Sequence, residues 1–108
     1  MFAANLNIDA RRSAIVTVVG ELDSETSSVL ARKIAVAFAA EPRRLRIDLS
    51  GVTSCDSQGL RTLVGAYELC QREGVACEAV GATQFLVQMF GTADCSDVFD
   101  DTQRSRSA

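Results

Sequence analysis

The segment from Asp48 to Leu60 holds the residues whose types and spacing most suggest chemistry. A strand pattern ends there in a loop, and Asp56 and Ser57 then open a helical pattern. The first amides of a helix lack intrahelical partners and its dipole is positive at that end, so backbone donors would meet a phosphate on Ser57. The same spacing also fits a purely structural interpretation, in which Asp56 or Ser57 caps the helix and Gly59 permits close packing.

The sequence argues against a catalytic site or a metal site, because the chain contains no His. His is the usual general base near neutral pH and the commonest metal ligand. A nucleophilic Ser or Cys would depend on Asp56, Asp23 or the single Lys33 as its base, and no second motif organises them. We therefore expect no catalytic residue, no metal site, no cofactor and no enzymatic activity.

Composition narrows the class of protein. The chain has 108 residues, 14 acidic and 11 basic side chains, a net charge of -3 and 47% hydrophobic residues. These values favour one folded domain and give no electrostatic reason for direct binding of nucleic acid. The longest apolar runs, such as Ile34 to Ala40, are too short for a membrane span, and the N-terminus lacks a secretory-signal pattern. We expect a cytoplasmic protein with no membrane segment.

Alternating and β-branched patterns predict the strands that must position these residues. The first two should form an antiparallel hairpin, with Gly20 ending the second strand. The third should break at Ser50–Gly51 before a short extension, and the fourth should be largely buried. The predicted strands cover Leu6 to Ile8, Ala14 to Val19, Leu45 to Thr53 and Val75 to Val80.

Three-and-four-residue apolar spacing predicts the helices. The first should begin at an Asp23 or Ser24 cap and end before Pro42, and the second should run from Ser57 to a stop at Gly74. A third, short helix would pair Phe85 with Met89 and Leu86 with Phe90, and Val98 and Phe99 would cover the last sheet edge. The apolar stripes of the first two comprise Leu30, Ile34, Ala37 and Phe38, and Leu60, Leu63, Val64 and Tyr67.

The order of elements predicts an α/β fold. A hairpin followed by alternating helices and strands should give a mixed β-sheet of about four to five strands, covered by helices, with parallel strands joined by right-handed crossovers. We expect one domain over residues 1–101 and a flexible tail over residues 102–108.

Three sequence segments together form a recognisable pattern. Asp48 to Val52 reads Asp-Leu-Ser-Gly-Val at a predicted strand end, Asp56 to Leu60 reads Asp-Ser-Gln-Gly-Leu at a predicted helix start, and Gly20 to Asp23 reads Gly-Glu-Leu-Asp after the second strand. This pattern resembles the STAS-domain family, specifically the bacterial anti-sigma-factor antagonists, whose members carry Asp-Leu-Ser-Gly-Val, Asp-Ser-x-Gly-Leu and Gly-Glu-Leu-Asp at these places. With the order of elements, the resemblance extends from about Leu6 to Phe99 and implies a single STAS-like domain.

The resemblance implies a function by partner switching. An unphosphorylated family member captures an anti-sigma factor, which frees a sigma factor, and the anti-sigma factor is also the serine kinase that ends the capture. This implies Ser57 as the phosphorylated residue and a serine phosphatase as a further expected partner. The residues expected to contact the partner are Glu21, Asp23, Ser54, Asp56, Ser57, Gln58 and Gly59.

Two departures from the family pattern affect these expectations. Ser54 and Cys55 stand where the family usually has bulky apolar residues, so Ser54 is a second candidate acceptor. The region after the third predicted helix, Gly91 to Phe99, is unusually acidic, with Asp94, Asp97, Asp100 and Asp101 close together, which would alter the choice of partner.

The four cysteines have no metal-site spacing. Cys70 and Cys77 fall on predicted apolar faces, so we expect small, inert core residues there. Cys55 adjoins the predicted phosphorylation site and Cys95 lies in a polar segment, so a redox-switched regulator is one competing function. A STAS scaffold subunit of a stress-signalling complex is a second, and a transporter-associated STAS module is a third.

Overall fold

A four-stranded mixed sheet forms the centre of the structure. The structure is a computed structural model that describes residues 1–81. The strands lie in the order β1-β2-β3-β4, with β1 antiparallel to β2 and with β2, β3 and β4 parallel. The predicted α/β fold with a hairpin and a parallel section is confirmed. The elements are β1 Phe2–Ile8, β2 Ser13–Leu22, α1 Ser27–Ala39, β3 Arg44–Cys55, α2 Ser57–Glu73 and β4 Ala76–Val80.

Side chains from the sheet and both helices share one core. Alternate residues of β2 and β3 point inward, as the two-residue period of a strand requires. Each helix adds one apolar stripe. Of the residues predicted for these stripes, Leu30, Ile34, Ala37, Leu60 and Leu63 are buried, and Phe38, Val64 and Tyr67 are partly buried against the core. Side chains that are completely buried include Val16, Val18, Leu22, Leu30, Leu45, Leu49 and Cys70.

The structure corrects two predicted boundaries near the site. Gly20 does not end β2, which continues to Leu22, because Gly20 adopts a φ of 103° and remains paired with Phe2 and Val52. The first helix does not begin at Asp23 or Ser24 but at Ser27, after a turn. The Asp23 side chain caps that turn rather than the helix.

Two strand predictions were also wrong in detail. β3 is continuous through Ser50–Gly51. Its register with β2 shifts there, between the pairs Thr17–Asp48 and Val19–Gly51, and this irregularity accommodates one extra residue in β3. Within β4 only Ala79 is buried, although the strand was expected to be largely buried.

Several predicted features lie outside residues 1–81. These features are the third helix from Phe85 to Phe90, the acidic segment, Val98 and Phe99, Cys95, and the domain boundary at residue 101 with its tail. Within the described part of the chain, no helix combines the length and apolarity needed to cross a bilayer.

Candidate phosphorylation and partner-binding site

The parallel pairing of β2 and β3 brings Glu21 and Asp23, at the end of β2, close to Asp56, which follows β3. Glu21 lies opposite Ser54 and Leu22 opposite Cys55 at the carboxyl ends of these strands. The amide of Asp56 then donates to the Leu22 carbonyl at 3.0 Å. This pairing therefore places the turn that follows β2 beside the start of α2.

Asp56 is the residue that caps α2. Its Oδ1 accepts a hydrogen bond from the Gly59 amide at 2.9 Å, and its carbonyl accepts one from the Leu60 amide at 2.9 Å. Its extended backbone, with φ -96° and ψ -177°, is typical of a helix N-cap.

Ser57 is the first residue of α2 and is exposed. Among residues 1–81, no side chain or carbonyl forms a hydrogen bond with its hydroxyl. Of the two residues that the sequence offered as a helix cap, Asp56 therefore has this role and Ser57 does not. The amides of Ser57 and Gln58 stand at the positive end of the helix dipole, where a phosphate is favoured.

Gly59 is required by the close approach of α2 to β2. A Cβ atom at this position would lie 2.6 Å from the Leu22 carbonyl oxygen and 2.7 Å from Leu22 Cγ. The structure therefore assigns Gly59 a packing role: it lets the start of α2, and Ser57 with it, sit against the end of β2.

A reciprocal pair of hydrogen bonds holds the acidic turn after β2. The Asp23 amide donates to Thr26 Oγ1 at 2.8 Å, and the Thr26 amide donates to Asp23 Oδ1 at 3.0 Å. The Thr26 hydroxyl also donates to the Glu21 carbonyl at 2.8 Å. The hydrogen bond from the Thr26 backbone is the main cause that lowers the pKa of Asp23, so this carboxylate stays charged.

Thr26 was missed by sequence reasoning. The signal was present, because Asp-x-x-Thr has the spacing of a reciprocal cap. Asp23 was instead expected to cap the first helix, and no role was expected for Thr26.

Of the predicted contact residues, Glu21, Ser54, Asp56, Ser57 and Gln58 are exposed, Asp23 is half-buried and Gly59 is buried. Ser54 belongs to β3 and not to a helix start, so its hydroxyl lacks the free amides that adjoin Ser57. The two candidate acceptors therefore differ in electrostatic surroundings, and Ser57 has the more favourable ones.

Cys55 is a poor nucleophile in this setting. Burial raises the pKa of its thiol to about 11, with a smaller contribution from the charge of Asp56. The protonated thiol contacts the Asp56 carbonyl at 3.4 Å. A thiol reacts as its thiolate, so this environment weighs against a redox role for Cys55.

In the described residues, no three His, Cys, Asp or Glu side chains are grouped as a metal site would require.

The sequence model of a known family matches residues 7–99; its description is "Mlab, STAS domain". The chain belongs to the STAS domain family. The resemblance found from the Asp-Leu-Ser-Gly-Val and Asp-Ser-x-Gly-Leu segments is thereby confirmed.

Similar proteins and structures are consistent with this STAS domain. An anti-sigma-B factor antagonist from Bacillus subtilis (strain 168) is 28% identical over 104 residues, which cover 94% of each chain. The crystal structure of an anti-sigma factor antagonist from Mycobacterium paratuberculosis is 29% identical, with a TM-score of 0.70 over 87% of this chain and 81% of that one. Phosphorylated SpoIIAA, a Bacillus cell fate determinant, shares the fold at 15% identity, with a TM-score of 0.73 over 98% and 100% of the two chains.

Proposed function

We propose that this chain is an anti-sigma-factor antagonist switched by phosphorylation of Ser57. Unphosphorylated, it binds an anti-sigma factor that is also a serine kinase, and a sigma factor is released. Phosphorylation ends the binding, a serine phosphatase restores the hydroxyl, and the cycle runs in the cytoplasm. The observation that carries the proposal is the exposed Ser57 hydroxyl at the start of α2, beside a cap supplied by Asp56.

The named relatives support the antagonist role. The similar proteins from Bacillus subtilis and Mycobacterium paratuberculosis are both anti-sigma factor antagonists. SpoIIAA is an anti-sigma factor antagonist that has been solved in unphosphorylated and phosphorylated forms. Regulation without catalysis also agrees with the absence of His from the sequence.

Charge explains how a phosphate would end the binding. A phosphoserine carries about -1.5 to -2 charges near neutral pH. At Ser57 it would join Asp56 and the acidic turn of Glu21 and Asp23, so a mixed polar surface becomes strongly anionic. A partner surface that fits the free hydroxyl would then meet unfavourable charge and a larger group. The helix start tolerates the same phosphate, so the fold itself is retained.

Phosphopeptide mapping tests the acceptor directly. Tagged wild type, Ser57→Ala and Ser54→Ala chains are purified from the source organism, and phosphorylated peptides are located by mass spectrometry. We expect phosphate on Ser57 in the wild type and in Ser54→Ala, and none in Ser57→Ala. Phosphate retained in Ser57→Ala and lost in Ser54→Ala would overturn the assignment. Circular dichroism of both variants verifies that they fold.

A further inference from the structure

Two cysteines meet where α2 ends and β4 begins. Cys70 lies in the last turns of α2 and is completely buried, and Cys77 is half-buried in β4. Both residues line the same surface hollow, and a hydrogen bond with the Cys77 side chain lowers the pKa of Cys70. The two side chains therefore lie next to each other.

The chain reversal after α2 produces this contact. Gly74 ends the helix with a φ of 69°, and the Val75 amide donates to the Cys70 carbonyl at 2.8 Å. β4 then enters the sheet with Cys77 opposite Leu45, a completely buried residue of β3. Cys77 thus packs against the core that contains Cys70.

A surface hollow reaches the pair. Within the described part of the chain, Tyr67, Gly74 and both cysteines line a depression of about 500 Å³. Peroxide is much smaller than this hollow and could approach Cys77, the more exposed of the two thiols. Cys55 differs from the pair, because its raised pKa and its contact with the Asp56 carbonyl keep that thiol protonated.

We propose that Cys70 and Cys77 form a peroxide-sensitive dithiol that closes to an intramolecular disulfide. Hydrogen peroxide, the oxidant, first converts the Cys77 thiol to a sulfenic acid and releases one water. The Cys70 thiolate then attacks the Cys77 sulfur, forms the S–S bond and expels hydroxide, which takes up the Cys70 proton as a second water. The two thiols lose two electrons in total, and peroxide gains them. This modification site is independent of Ser57 and of the proposed antagonist function.

Intact-mass and peptide mass spectrometry test the proposal on the full chain. After treatment with hydrogen peroxide we expect a mass decrease of about 2 Da, reversed by dithiothreitol, because disulfide formation removes two hydrogens. Alkylatable thiols in the unfolded protein should fall from the four in the sequence to two. A digest should contain one peptide pair joined through Cys70 and Cys77.

Matched variants identify the pair. Cys77→Ser replaces a half-buried thiol and Cys70→Ala keeps a small apolar core residue, so both are expected to fold, as circular dichroism would verify. We expect neither variant to lose about 2 Da, whereas a Cys55→Ala/Cys95→Ala chain should still do so. Absence of the mass decrease in the wild type, or its persistence in Cys77→Ser, would overturn the proposal.

Discussion

Side chains that are close to Ser57 in the sequence differ sharply in their local environments. Ser57 and Ser54 are both exposed hydroxyls, but only Ser57 stands at a helix N-terminus. Asp56 supplies the cap, which leaves the serine hydroxyl available. The sequence left open whether Asp56 or Ser57 caps the helix, and the hydrogen bond from the Gly59 amide to Asp56 identifies Asp56 as the cap.

Cys55 should react slowly with alkylating agents near neutral pH. Its pKa of about 11, against an ordinary value of 9.0, leaves about 100-fold less thiolate than an unperturbed thiol. We expect iodoacetamide to label Cys55 of the folded Cys70→Ala/Cys77→Ser/Cys95→Ala chain at this reduced rate, increasing as pH rises toward 11. Urea-unfolded chain is the control. Equal rates in the folded and unfolded chain at pH 8 would contradict the prediction.

Asp23 should make the free energy of unfolding depend on pH in acid. Its pKa is lowered in the folded chain relative to 3.8, so the native state favours the charged form. The contribution is present above the unfolded pKa and is lost as pH falls through the folded pKa. Urea unfolding should therefore show Asp23→Asn less stable than wild type at pH 7, with the difference shrinking below about pH 4. A constant difference over this range would contradict the assignment, and the exposed Glu25→Gln is the control.

At the scale of elements, two glycines of α2 should respond oppositely to substitution. Gly59→Ala would force a Cβ against the Leu22 carbonyl, whereas among residues 1–81 a Cβ at Gly65 meets nothing within 4 Å beyond its own stretch of helix. We expect Gly59→Ala to lower the free energy of unfolding by about 1–3 kcal/mol. Gly65→Ala should raise it by about 0.5–1 kcal/mol, because alanine favours the helix interior.

Urea denaturation monitored by circular dichroism measures both changes. Equal effects of the two substitutions would show that α2 does not rest against the end of β2 as described. In Gly59→Ala the start of the helix should also shift, so phosphorylation at Ser57 would decrease although the hydroxyl remains.

Element types were predictable from the sequence where periodicity and end signals agreed. The stop of α2 at Gly74 is one example, since glycine readily takes the left-handed conformation found there. The predicted element boundaries were wrong where pairing between strands extended an element past a residue that often ends one. Asp23 carries a typical helix-cap side chain, but the extension of β2 to Leu22 assigns it to a turn with Thr26. Likewise, pairing across Gly20 could not be inferred from the residue type.

At the scale of the whole molecule, several charged residues in the described part of the chain lie at opposite ends of the parallel strands. Glu21, Asp23 and Asp56 lie at the carboxyl ends of β2 and β3. Arg12, Arg43 and Arg44 lie at their amino ends, where the Arg43 amide donates to the Arg12 carbonyl and Arg12 pairs with Glu41. A phosphate on Ser57 would therefore strengthen an existing charge asymmetry at the proposed binding end.

The assembly state separates the antagonist proposal from a scaffold subunit. The purified chain should elute in size-exclusion chromatography as a small species and form a defined complex only when the anti-sigma factor is added. A stable, large assembly of the chain with other STAS proteins, unchanged by Ser57→Asp, would favour the scaffold.

The measurement that tests the central claim most directly is affinity capture from a lysate of the source organism. The baits are wild type, Ser57→Asp and Gln71→Glu, and mass spectrometry identifies the bound proteins. The Gln71→Glu bait is the matched control, because it adds one negative charge at an exposed position of the same helix, far from its start and outside the expected contact residues. We predict that wild type and Gln71→Glu capture an anti-sigma factor kinase and that Ser57→Asp does not. Capture of the same kinase by Ser57→Asp at the wild-type level would contradict a switch at Ser57.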